Sequence, residues 1–103
     1  MMLLTKELRK KLEKHPLGKH SEEDAKDVKI IVKFFDPTSQ WTWYISEYDQ
    51  KDTFFGLVRG HETEFGYFSL AELESIRGRW GLGIERDRHF GNHTLQEAKD
   101  KAI

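Results

Sequence analysis

The sequence has no cysteine, only two prolines and no long apolar run. Without cysteine there is no disulfide, no thiol nucleophile, no iron–sulfur cluster and no zinc site built on thiolates. That fits a reducing compartment. No stretch approaches the roughly 20 apolar residues that span a bilayer. The opening MMLLTKELRKK has an apolar run too short for a signal peptide, and that run lies before the charges. A cytoplasmic protein without membrane contact is expected. A nucleophile elbow, an H-E-x-x-H motif and a Walker loop are also missing. The expectation is a protein that is not an enzyme and uses no cofactor.

What the chain does have is aromatic bulk and charge. Seven Phe, three Trp and three Tyr stand among 103 residues, and 34% of all residues are charged. Each large aromatic side chain buries about 150–250 Å², enough to anchor one compact core. The length is that of a single domain, residues 1–103. The net charge of −1 conceals an asymmetry. Residues 1–33 carry 9 basic and 6 acidic side chains, residues 34–74 carry 2 and 8, and residues 75–103 carry 6 and 4. A dedicated nucleic-acid binder is basic throughout. Here the fold would have to bring the two basic ends together.

The first element is a helix in LLTKELRKKLEKH, with Thr5 as N-cap and Leu4, Leu8 and Leu12 along one stripe. His15-Pro16 ends it, because proline pushes the preceding residue out of the α region. Residues 17–27 are polar and read as a loop. VKIIVKFF alternates Val28, Ile30, Val32 and Phe34 on one face, and DPTS turns the chain. WTWYISEY places Trp41, Trp43 and Ile45 on one face and Thr42, Tyr44, Ser46 and Tyr48 on the other. TFFGLVRG and FGYFS follow after short turns, which favours an antiparallel meander. Ser69 and Glu72 have the spacing of a capping box, and Phe68 and Leu73 that of a hydrophobic staple. They open a helix over about 70–77 that Gly78 is placed to stop. IERDRHF reads as a short last strand, and Thr94 with Glu97 opens a short final helix. The expected fold is α+β: an antiparallel four- or five-stranded meander sheet with an N-terminal, a central and a short C-terminal helix.

The segments Leu3–Leu12, Val32–Pro37, Thr42–Glu47, Phe54–Gly56 and Gly66–Phe90 carry a resemblance. In this order they resemble a bacterial family known as domain of unknown function 2958, whose members tend to be small proteins of plasmids, integrative elements and phages. The resemblance implies a mobile-element context. It supplies no activity, cofactor or catalytic residue.

Two candidate sites emerge from the residues. RGRWGLGIERDRHF offers Arg77, Arg79, Arg86 and Arg88 with Trp80 as a stacking platform, an arrangement suited to phosphate and base contacts. Phosphate-binding glycine loops precede helices, however, and this one follows a helix. The competing reading is a helix stop and a charged strand, with Trp80 packed on the sheet. The second candidate is the outward face of WTWYISEY, where Tyr44 and Tyr48, with Phe55 on the next strand, form a binding surface if helices leave that face open. Acidic residues Glu47, Asp49, Asp52, Glu62 and Glu64 crowd the hairpin ends, as solvated turns or as a docking face for a basic partner. His89 and His93 have H-x-x-x-H spacing, but Gly91-Asn92 between them opposes a helix, and no metal is expected. The expected function is a small accessory protein acting through a protein partner. A nucleic-acid-binding accessory protein using Arg77–Arg88 is the alternative.

Overall fold

A computed structural model describes residues 2–103. It contains α1 (Lys6–Leu12), β1 (Val32–Phe35), β2 (Thr42–Tyr48), β3 (Thr53–Arg59) and β4 (Thr63–Ser69). After these come α2 (Leu70–Ser75), β5 (Glu85–Arg86) and α3 (Leu95–Asp100). The sheet has five strands in the order β4-β3-β2-β1-β5, every pair antiparallel. The α+β meander is therefore what the chain forms, with the short fifth strand added beside β1.

The helix starts follow local chemistry. Thr5 accepts from the Leu8 N–H, Ser69 from the Glu72 N–H and Thr94 from the Glu97 N–H, satisfying donors that a helix start leaves free. Among the described residues only α3 has the reciprocal capping box, with the Glu97 carboxylate returning to the Thr94 N–H. At Ser69 the reciprocal partner is Asp52, which accepts from the Ser69 hydroxyl and from the Ala71 N–H. The end of α2 departs from the expected 77. Ile76 is already extended, because Arg77 pairs with Gly83 across a small hairpin. Gly78 has φ −88 and belongs to that hairpin, so it is not the helix cap.

Both faces of the sheet bury apolar side chains. On the first face Val32, Phe34, Trp43, Ile45, Tyr48 and Phe54 pack with Leu3, Leu4, Leu12, Leu70, Leu73 and Ile84. On the second, Tyr44 and Leu57 pack with Val28, Ile30, Leu95 and Ala98. This corrects the reading of VKIIVKFF as one continuous alternating strand. Residues 28–31 run before β1, where the Ile30 N–H bonds His93 O and the Leu95 N–H bonds Val28 O. Val28 and Ile30 thus help α3 to cover the second face. Arg59 adds a tie across that layer, donating to the carbonyls of Ala98 and Lys99 at the end of α3.

The outward tyrosine face is also corrected. Tyr44 is 1% exposed and Tyr48 fully buried. Tyr44 lies under the α3 layer and donates its hydroxyl to Ile103 O at 2.8 Å. Tyr48 changes face, because a register shift between Ile45 and Glu47 lets one extra residue oppose β3. Past that bulge the parity of β2 inverts, and Tyr48 joins Trp43 and Ile45. There its ring stacks on Phe54 with centroids 4.6 Å apart.

Candidate functional site

The arginines of RGRWGLGIERDRHF do not converge. Arg77 folds back onto the end of α2 and donates to the carbonyls of Glu74 and Ile76, both at 2.8 Å. Arg86 donates to Leu3 O at 2.6 Å and to Met2 O at 3.3 Å, holding the start of the chain against β5. Arg88 lines an open hollow together with Thr5, Glu7 and Leu8. The neighbouring Asp87 pairs with Lys33 at 3.5 Å. What remains is a hairpin tip. Residues 79–81 form a 3₁₀ turn closed by the Gly78 N–H on Leu82 O at 2.7 Å. Trp80 stands at its apex, 83% exposed, so it does not pack on the sheet. Its φ of 58 is left-handed, which for a residue with a Cβ costs about 1–2 kcal/mol. The Arg79 guanidinium lies 5.7 Å from its ring centroid.

A second arrangement surrounds the β2 bulge. Glu47, which the acidic cluster suggested as a solvated hairpin end, is 3% exposed. Its two oxygens accept from the N–H groups of Gly18 and His20, at 2.8 and 2.9 Å, and so pin the loop after α1 onto the second face. A buried carboxylate requires such partners. The same loop stacks His15 on His20, with Nδ1 of His15 2.9 Å from Nε2 of His20. Nδ1 of His20 in turn meets the Glu23 carboxylate. Burial, and then the neighbouring His20, lower the pKa of His15 below its usual value.

Beside this pinned loop lies a groove of about 210 Å³, lined in part by His20, Glu23, Ser46, Glu47, Phe55 and Tyr67. Its outer wall is aromatic. Phe55 on β3 faces Tyr67 on β4 directly across the ladder, and Leu57 faces Phe65. The Phe55 ring meets Tyr67 edge-on at 5.1 Å and stacks on Phe65 at 6.5 Å. Phe65 is 39% and Tyr67 68% exposed, and the Lys99 ammonium caps Phe65 at 5.7 Å. Sequence reasoning named Phe55 but missed Phe65 and Tyr67. The available signal was that the last strand of a meander has a neighbour on one side only.

The other acidic residues divide by role. Asp49 accepts from the N–H groups of Lys51, Asp52 and Thr53, which build the β2–β3 turn and lower its pKa, the Thr53 bond most. Asp52 holds the start of α2. Glu62 just before β4 and Glu64 within it are exposed. His93 bonds Glu97 at 3.0 Å and leans on Phe90, and the His89 N–H bonds Asp87.

Fold and site together define a small α+β protein with an open antiparallel sheet and an exposed aromatic shelf at one edge. The chain belongs to the family described as "Protein of unknown function (DUF2958)", whose model matches residues 3–102. No curated protein and no solved structure shows a significant match. Among the described residues no helix is long and apolar enough to cross a membrane.

Proposed function

We propose that this protein is a non-enzymatic binding protein of the cytoplasm, serving a mobile genetic element, that docks a partner protein on the shelf of Phe55, Phe65 and Tyr67. The mobile-element setting is what the family resemblance implies. The observation that carries the docking surface is the exposure of Tyr67 (68%) beside Phe65 (39%) on the sheet's outer strand. Tyrosine and phenylalanine are enriched at protein interfaces, where an adjoining apolar patch excludes water. Behind the shelf lies the groove of about 210 Å³. Its polar groups hold one another: Glu47 the loop amides, His20 the Glu23 carboxylate, and Ser46 the Phe55 carbonyl. That supports binding over catalysis.

The test is a photo-crosslinking residue in place of Tyr67, expressed in the host cell. A discrete crosslinked protein is expected, with none from the same residue at exposed Lys11 on α1. Equal crosslinking from both positions would sink the reading.

One observation favours nucleic acid as a second reading, namely Trp80 raised on its strained tip with Arg79 beside it. Stacking on a base contributes about 1–3 kcal/mol. Under this reading, amide shifts at residues 77–83 appear on titration with short DNA or RNA and fade as salt rises. Absence of shifts at low salt removes it.

A further inference from the structure

The two edges of the sheet are finished differently. At one edge β5 is only two residues long, and Arg86 on it binds the main chain of Met2 and Leu3. At the other, β4 runs for seven residues in unbroken register with β3. Proteins normally guard such an edge with lysine, proline, a bulge or a covering segment. β4 (TEFGYFS) contains no lysine, no proline and no bulge.

The direction of its free main-chain groups follows from the ladder. At its two ends the Gly60 N–H bonds Glu62 O and the Leu70 N–H bonds Asp52 O. Antiparallel ladders alternate bonded and non-bonded pairs. Between those ends, the pairs Phe54–Phe68, Gly56–Gly66 and Val58–Glu64 therefore exchange the hydrogen bonds. Phe65 and Tyr67 fall in the non-bonded pairs, so their N–H and C=O groups point outward, away from β3. The residues that present the open main chain are the same two that build the aromatic shelf.

A hollow lies on each side of this edge, and Phe65 and Tyr67 line both. On the second face the wall is Phe55, Phe65 and Tyr67. On the first face it is Trp41, His61, Glu62 and Glu64. Glu64 lies opposite Val58, which packs on the first-face core, so its carboxylate stands on that side. An added strand alternates its side chains between the two faces. One set meets aromatic carbon and the other meets two carboxylates.

We propose that the outer edge of β4 is a strand-addition site for an extended segment of a partner protein in which apolar residues alternate with lysine or arginine. The inference rests on the protein-docking reading above. Main-chain pairing with Phe65 and Tyr67 supplies affinity, and the alternate side chains supply selectivity. Charge selects this occupant, since Glu62 and Glu64 are exposed on the first-face side of this edge and line its hollow.

The experiment uses the full chain, labelled with ¹⁵N, and a short capped synthetic peptide alternating valine with lysine. Expected are amide shifts over Thr63–Ser69 and slowed exchange at the Phe65 and Tyr67 N–H groups. N-methylation of the peptide along its β4-facing edge weakens binding by about tenfold or more, as loss of one or two hydrogen bonds implies. Replacing its lysines by glutamate weakens binding comparably, most at low salt. Tyr67→Pro removes an outward N–H that β3 does not use, so the fold persists and the peptide is lost, whereas Tyr67→Phe retains it. If Tyr67→Pro unfolds, the N-methylated peptide makes the same test on intact protein.

No shift with about 1 mM peptide, or equal binding of the N-methylated peptide, overturns strand addition and leaves the shelf reading standing. Dimerisation through β4 without peptide overturns the occupant in favour of a second copy of this chain. A failed crosslink at Tyr67 with intact peptide binding instead removes the cellular docking reading.

Discussion

Strands β2 and β4 are both seven residues long and both rich in aromatics, yet their fates are opposite. In TWYISEY every residue after Thr42 is buried. In TEFGYFS none is, and among the described residues Tyr67 is the most exposed of the large hydrophobic side chains once Met2 and Trp80 are set aside as chain start and hairpin tip. Composition does not separate them; neighbours do. β2 has a strand on each side, with α1 and α2 packed over one face and α3 over the other. β4 has a strand on one side only, and the apolar packing of α3 stops at Leu57 on β3, with the Lys99 ammonium alone reaching over Phe65. Burial is thus a property of position in the sheet, and the exposed aromatic strand is the one left available for a partner.

The sharpest way to break this comparison uses two glycines that face each other across the β3–β4 ladder, Gly56 and Gly66. A Cβ on Gly56 would lie 1.8 Å from Tyr44 O, a main-chain atom that cannot give way, whereas a Cβ on Gly66 meets nothing within 4 Å. Gly56→Ala is expected to cost more than about 4 kcal/mol or to prevent folding, and Gly66→Ala to stay within about 0.5 kcal/mol. Urea unfolding of the two variants measures both. Comparable effects would mean that β4 is held as tightly as β3 is against β2.

Next in size is the pair Phe54→Ala and Tyr67→Ala. Phe54 is fully buried against Phe34, Tyr48 and Phe68, and its loss leaves a cavity worth about 3–5 kcal/mol. Tyr67 has no such packing to lose, and about 0.5 kcal/mol or less is expected by the same measurement.

Glu47→Ala comes third. It strands the Gly18 and His20 N–H groups, each of which bonds a buried carboxylate oxygen. A loss of about 1.5–3 kcal/mol is expected, with amide exchange accelerated at residues 16–21 more than in β4. Uniform acceleration would show that Glu47 supports the whole sheet and not the loop.

The smallest effect is on pH dependence. The pKa of His15 is lowered in the fold, so the unfolded chain binds its proton more readily. This histidine's contribution is complete above its usual value of 6.5 and is lost as pH falls below that value towards the folded one. His15→Gln should flatten the stability profile in this window. Asp36 and Asp49 act separately and lower down, because hydrogen bonds from Thr38 and Thr53 respectively keep their carboxylates ionised below the usual 3.8. Their contribution is present above that value and lost as pH falls through their lowered ones. A profile unchanged by His15→Gln would assign the upper window to another histidine.

Local rules were readable wherever the responsible groups are near in sequence. Thr5, Ser69 and Thr94 cap helices as their spacing indicates, and the short turns gave the antiparallel order. The last turn of α2 was not readable, because Arg77 is claimed by Gly83 and by the carbonyls of Glu74 and Ile76. Tyr48 was misplaced for a related reason: one extra residue at a bulge inverts every later side chain, and no local residue type announces it. The arginine segment looked like one cradle because its charges are adjacent in sequence, but Arg77 turns to the nearby carbonyls of Glu74 and Ile76, Arg86 to the distant ones of Met2 and Leu3, and Arg79 stays on the tip.

By itself the sequence determined the element types, their order, the helix caps and the class of fold, since these depend on φ/ψ preference, capping geometry and hydrophobic period within a few residues. Only the tertiary structure decided that both faces of the sheet are covered, that Glu47 is buried while Glu62 and Glu64 are not, and that β4 rather than β2 carries the open aromatics. Those outcomes depend on which strand ends the sheet and how far α3 reaches across it. Such contacts join residues far apart in the chain, and a one-dimensional pattern does not encode them.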